Sequence, residues 1–346
     1  MNLQLDIADT RNSDLEARVL RRWDSLTKPP GSLGRLESLV LELALMQGTD
    51  SPKLKRKALA LFCADHGVTA EGVSAFPREV TAQMVQNFLS GGAAISVLCR
   101  KHGIEPVVVD AGVDGPVAEG ALDYKIAQGT ANFVEGPAMT AEQAEKAVRN
   151  GMGLAREIGQ RADIAVVGEM GIGNTTAASA LLCAFSGCAA ADAAGAGTGL
   201  DASRIAHKGQ VIARALALHS AAVEQKNPMA ILAAVGGFEI AMMAGFLLGA
   251  AAARMPVVVD GFICCASVLV ARAINPRVMH YLIFSHKSAE SGHRRMLAEL
   301  NAKPVLDLDM RLGEASGGVL ALSILESALA LYDEMATFEQ VGVSKA

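Results

Sequence analysis

Three glycine-flanked loops hold the residues whose types and spacing can do chemistry. The first reads Gly168-Glu169-Met170-Gly171-Ile172-Gly173-Asn174-Thr175-Thr176. It follows a predicted strand and opens a predicted helix. Glycines let the backbone approach an anion, and a helix N-terminus offers free N–H donors with a favourable dipole. The spacing is that of a Walker loop, but Asn174 stands where the lysine belongs. A nucleoside triphosphate is therefore a poor fit and a single phosphate a better one, with Gly171, Gly173, Asn174 and Thr175 as its cradle. The competing reading is a tight strand-to-helix turn with no ligand. The second loop, Gly195-Ala196-Gly197-Thr198-Gly199-Leu200-Asp201, precedes another helix, and Lys208 lies about two turns into it. Lys208 can supply the charge the first loop lacks, or it can be an ordinary solvated lysine.

The third loop is Asp309-Met310-Arg311-Leu312-Gly313-Glu314-Ala315-Ser316-Gly317-Gly318. Glu314 sits among small residues before an apolar helix. Desolvation there would raise its pKa toward neutrality and suit it to general-base work. A position at a helix N-terminus would push the pKa the other way. The sequence leaves both readings open. The seven histidines form no H-x-x-x-H pair. His286 and His293, seven apart, fall roughly on one helical face if that stretch is helical. No metal site is expected, and no G-x-S-x-G elbow points to a hydrolase triad.

The elements that must position these loops alternate. Strands are expected at 57–63, 106–110, 163–167, 256–260 and 281–284. Helices are expected at 79–89, at 140–158 with Thr140 as N-cap, at 175–185, from Asp201 to about residue 219, and at 317–338. Short β-branched runs between helices predict an α/β fold: a doubly wound, mostly parallel sheet flanked by helices. Ligands bind such sheets at the carboxyl ends of the strands, which places His66, Glu169 and Asp260 near one rim. The two chain ends are strand-free. They are expected to form a small helical domain from residues 1–50 plus 317–346, beside a large α/β catalytic domain of 51–316. Residues 229–253 are apolar and long enough for a bilayer, but Pro228, Gly236-Gly237 and the many alanines favour a buried helix pair or one long core helix.

The chain has 346 residues, 51% of them hydrophobic and 19% charged, so it can build a large core and is not a disordered chain. Aromatics are 4% and the net charge is −5, which disfavours nucleic acid as a partner. Membrane insertion is also disfavoured. Six cysteines without a C-x-x-C pair, and a polar start without an apolar stretch, fit reduced thiols in a cytoplasmic protein.

The loops also occur in a recognisable order with other motifs. These are Lys28-Pro29-Pro30-Gly31-Ser32-Leu33-Gly34-Arg35-Leu36-Glu37, Ala64-Asp65-His66-Gly67-Val68, Gly72-Val73-Ser74-Ala75-Phe76-Pro77, Val80-Thr81-Ala82-Gln83-Met84-Val85 and the Ser285–His293 stretch. Over nearly its whole length the chain resembles the nicotinate-nucleotide–dimethylbenzimidazole phosphoribosyltransferase family. The resemblance implies transfer of the phosphoribosyl group of nicotinate mononucleotide to 5,6-dimethylbenzimidazole, a step of cobalamin nucleotide-loop assembly, by a homodimer without cofactor or metal. It implies that Glu314 is the base and Glu169 a second carboxylate. The Gly171–Thr175 turn and Lys208 would take the phosphate. Ser74, Phe76, Gln83, Met84 and Leu312 would form the base pocket. Ala315 departs from the family's expected glycine, and its methyl is expected to narrow that pocket slightly. Two other readings are a different acceptor (adenine, another benzimidazole or a phenol) and a nucleotide-binding protein that kept the fold. Retention of Glu314 argues against the second.

Overall fold

A computed structural model of the chain describes residues 5–197 and 199–344. Thr198, in the second glycine loop, and the outermost residues of both expected end segments lie outside the described residues. Six strands form one all-parallel sheet: β1 Lys57–Ala64, β2 Pro106–Gly112, β3 Leu122–Asp123, β4 Ile164–Met170, β5 Val257–Val259 and β6 Leu282–Phe284. Their order is β3-β2-β1-β4-β5-β6. The doubly wound expectation holds, with every pairing parallel.

The strands read as apolar runs because both faces are covered. From Leu59 to Ala64 every residue of β1 is buried. Helices Ala141–Gly159 and Phe238–Ala252 pack together beside β1, and Phe62 meets Phe246 edge to face at 5.6 Å between ring centroids. The ambiguous apolar stretch is two helices, Pro228–Val235 and Phe238–Ala252, broken at Gly236-Gly237. Every residue of the second except Ala252 is buried. Thr140 caps its helix as expected and forms a full capping box with Gln143.

Strand order reverses between β1 and β4, whose connections leave in opposite directions. That switch point opens a crevice at the carboxyl ends of the strands. The loops after β1, β4, β5 and β6 meet there.

The chain ends lie together. Helices Ser13–Ser25 and Arg35–Gln47 pack on each other, and the second packs on Ser316–Glu334. Trp23, fully buried, meets Tyr332 edge to face at 5.1 Å. Lys28 lies 5.3 Å from the Trp23 ring and forms a 2.8 Å ion pair with Glu37. The Thr27 N–H donates to the Ala336 carbonyl. Ser316–Glu334 also packs on helix Ala94–His102, β4 and β5. It is the one helix among the described residues long and apolar enough to cross a membrane, but here its apolar side is occupied by those partners.

Candidate active site

A cavity of about 470 Å³ spans the crevice. One wall is the turn after β4. Gly173 adopts a left-handed backbone, φ +96°, which lets the chain reverse and start the helix Asn174–Ser186. Thr81 Oγ1 accepts the Ile172 N–H at 3.0 Å and ties this turn to the segment after β1. Gly171, Gly173, Asn174 and Thr175 all line the cavity. The helix N-terminus that they open faces it with partial positive charge.

Glu169, the penultimate residue of β4, is 6% exposed. Burial pushes its pKa up to about 8, against a hydrogen bond donated by the Asn174 side-chain amide; the carboxylates of Asp260, Glu239 and Glu314 push the same way as burial. Glu314 enters from the other side. Gly313, Glu314 and Ala315 are three successive left-handed residues, at φ +86°, +62° and +64°. A non-glycine residue in that conformation costs roughly 1 kcal/mol, and such strain concentrates at functional sites. The turn is held by Ser316 Oγ donating to the Gly313 carbonyl at 2.7 Å and by the Gly318 N–H donating to Asp260 Oδ1 at 2.9 Å. Burial drives the Glu314 pKa up to about 7, opposed by a hydrogen bond from the Ile95 backbone at the start of helix Ala94–His102. Its Oε2 is buried without a hydrogen-bond partner among the described residues. Of the two sequence readings for Glu314, desolvation outweighs the N-terminal one.

The Ala315 methyl does not reach the cavity. It is fully buried against Gly168, where a side-chain carbon would come within 2.5 Å of the Ala315 nitrogen. The expected narrowing of the pocket by Ala315 is therefore corrected: the methyl packs on the bare backbone of β4.

The apolar wall comes from the segment after β1 and from Leu312. Ser74, Phe76, Met84 and Leu312 line the cavity. Gln83 does not: it is exposed on the helix Val80–Leu89. Lys208 is also absent from the lining. It is fully buried behind the turn, its Nζ donating to Thr175 Oγ1 at 2.7 Å and to the Gly195 carbonyl at 3.4 Å. Burial lowers its pKa to about 8, with the Glu290 charge opposing. A phosphate in the turn would meet Lys208 across Thr175.

His286, Ser288, Glu290 and Arg311 also line the cavity, and sequence reasoning gave none of them a place in the site. The first three follow β6, so the strand-end rule was the signal available. His286 and His293 do not share a helix face as expected. His293 lies in helix Ser291–Glu299 and His286 precedes it, the rings 6.2 Å apart. Burial holds both below the usual histidine range, at about 4 and about 3, so they are neutral near pH 7. Among the described residues no group of three or more His, Cys, Asp or Glu could hold a metal ion.

A family model described as Phosphoribosyltransferase, DBI_PRT, matches residues 8–343. The chain belongs to this phosphoribosyltransferase family. A family relative from Cupriavidus necator, named nicotinate-nucleotide–dimethylbenzimidazole phosphoribosyltransferase, is 51% identical over 98% of this chain and 96% of its own length. One of the same name from Pseudomonas fluorescens is 49% identical over 94% and 93%. The crystal structure of CobT from Thermus thermophilus superposes with a TM-score of 0.90 at 43% identity, covering 96% of this chain and all of that one.

Proposed function

We propose that the chain transfers the 5-phosphoribosyl group of nicotinate mononucleotide to 5,6-dimethylbenzimidazole, giving α-ribazole 5′-phosphate and nicotinate in cobalamin nucleotide-loop assembly. One observation carries the reading. Two carboxylates, both raised in pKa by burial, share a cavity with a glycine turn at a helix N-terminus and an apolar wall. The imine nitrogen of the acceptor attacks C1′ of the ribose. The C1′–pyridinium bond breaks and its electron pair returns to nicotinate, which leaves neutral at nitrogen. The proton on the acceptor's other nitrogen passes to Glu314. Attack opposite the leaving group inverts C1′. Glu169 faces the positive charge that develops on the ribose. A positioned base contributes about 10²–10⁴-fold, and alignment with electrostatics supplies the rest.

Gly171, Gly173, Asn174 and Thr175, backed by Lys208, take the 5′-phosphate, while Ser74, Phe76, Met84 and Leu312 receive the apolar base. The same proposal includes a homodimer in the cytoplasm, with the helical unit of residues 1–50 and 317–346 beside the sheet. Phe76 and Leu312 stand 52% and 55% exposed at the cavity mouth, apolar area that a second copy would cover. The test is a product assay with nicotinate mononucleotide and a panel of benzimidazoles, purines and phenols, read by mass spectrometry. Ribazole phosphate from the wild type, absent with Glu314→Gln, is the expected result. No transfer to any acceptor, with the nucleotide still bound, would overturn it.

A further inference from the structure

One helix touches both halves of the site. Ala202–Leu218 brings Lys208 to Thr175, on the mononucleotide side. From nearly the same face it reaches the segment after β1, on the acceptor side. Arg204 Nη2 donates to the Ser74 carbonyl at 3.0 Å, and His207 Nε2 donates to the Glu71 carbonyl at 2.7 Å. Further along the stripe, Arg214 pairs with the Glu71 carboxylate at 3.2 Å, whose other oxygen accepts the Asn132 amide at 2.8 Å. Residues 204, 207, 208 and 214 cover about a third of the helix circumference at 100° per residue.

The segment they hold has little packing of its own. After the short 3-10 turn Gly67–Glu71 and the left-handed Gly72, residues 72–77 have one buried side chain, Val73. A loop with so little buried apolar surface takes its position from its hydrogen bonds. Ser74 and Phe76 line the cavity from this loop. The Ser74 and Glu71 carbonyls and Thr175 Oγ1 are therefore all bonded to side chains of one helix.

We propose that helix Ala202–Leu218 couples the two subsites: Arg204 and His207 are positioning residues that hold the acceptor wall in register with the mononucleotide turn. Arg204 and His207 touch neither substrate. The inference rests on the functional reading above, which supplies the identities of the two ligands. When the mononucleotide phosphate draws on Lys208, the helix settles, and the acceptor wall settles with it. Acceptor affinity is then higher in the nucleotide complex than in the free protein.

Two measurements test this. Hydrogen exchange at residues 72–77 is followed with and without nicotinate mononucleotide, in the absence of any acceptor. The wild type gains protection there; Arg204→Ala and His207→Ala lose that gain while still binding the nucleotide. Steady-state kinetics then separates the constants. Arg204→Ala raises the acceptor KM about three- to tenfold, the effect of losing one charge-assisted hydrogen bond at a partly solvated site. The nucleotide Kd measured without acceptor stays within about twofold, and Arg204→Lys, which keeps a donor on a long stem, recovers part of the loss. Equal protection in wild type and variants, no protection in the wild type, or a nucleotide Kd without acceptor that rises as much as the acceptor KM would each overturn the coupling. Failure of the functional reading is distinguishable: it appears as no ribazole phosphate from the wild type, whereas the exchange measurement needs no transfer.

Discussion

Replacing Glu314 by glutamine should remove activity and add stability. The carboxyl is raised from an ordinary value of 4.5 to about 7 by burial. The folded protein therefore binds a proton that the unfolded chain has already released between those values. A raised carboxylate is no burden below pH 4.5, and its cost grows as pH rises to about 7, then stays constant. At 1.36 kcal/mol per unit, the upper bound of that cost at pH 8 is about 3 kcal/mol; at pH 5 it is under roughly 1 kcal/mol. Glutamine has the same shape, carries no charge and keeps an oxygen for the Ile95 N–H. For a chain of this length the gain at pH 8 corresponds to a Tm rise of roughly 4 °C. The assay is thermal unfolding of wild type and variant at pH 5 and pH 8, beside the transfer rate at pH 8. Turnover should fall about 10²–10⁴-fold while the Tm difference opens with pH. A variant no more stable than wild type at pH 8, or one with turnover within threefold of wild type, would refute the desolvated-base argument.

The wild-type rate should climb from pH 6 to pH 8, because Glu314 must be ionised and its pKa is about 7 while that of Glu169 is about 8; below that range it should fall by at least about a decade per unit, and a profile flat to pH 5 would contradict it. Gly168→Ala should drive the new methyl into Ala315 and displace Glu314 by the order of 1 Å, lowering kcat about 10²-fold, with nucleotide binding by calorimetry largely kept. Lys208→Ala should weaken nicotinate mononucleotide about tenfold or more and the acceptor less, and equilibrium binding of each ligand alone would expose the opposite order.

The sheet was legible because its physics is simple. Stretches such as Val257–Val259 are buried throughout, so they appear as unbroken β-branched runs. The edge strand β3 has two residues, both exposed, and leaves no such trace. Glu169 and Glu314 could be picked out because each is a carboxylate among glycines and small residues. What the motifs could not convey was direction. Gln83 and Met84 are neighbours in sequence, but 100° of helix rotation separates them, so Met84 lines the cavity and Gln83 faces water. Lys208 reads as a phosphate ligand, whereas its ammonium is buried and hydrogen-bonded to Thr175. Arg311 enters the site in the same loop as Glu314, and Glu290 enters in the segment after β6, so only their place after the last strand could have pointed to them. The left-handed Gly313–Ala315 turn is equally silent, since Glu314 and Ala315 are not residue types that announce that conformation.

The contact between Trp23 and Tyr332 also fixes a timetable. The chain has a single tryptophan, and the ring that covers it is made some 310 residues later. At 5–20 residues per second, a ribosome needs roughly 15–60 s between the two. Throughout that interval the sheet can be assembling while the indole waits uncovered. Indole emission is therefore a built-in clock for the docking of helix Ser316–Glu334: it should shift to the blue only when that helix has left the ribosome and packed on Trp23.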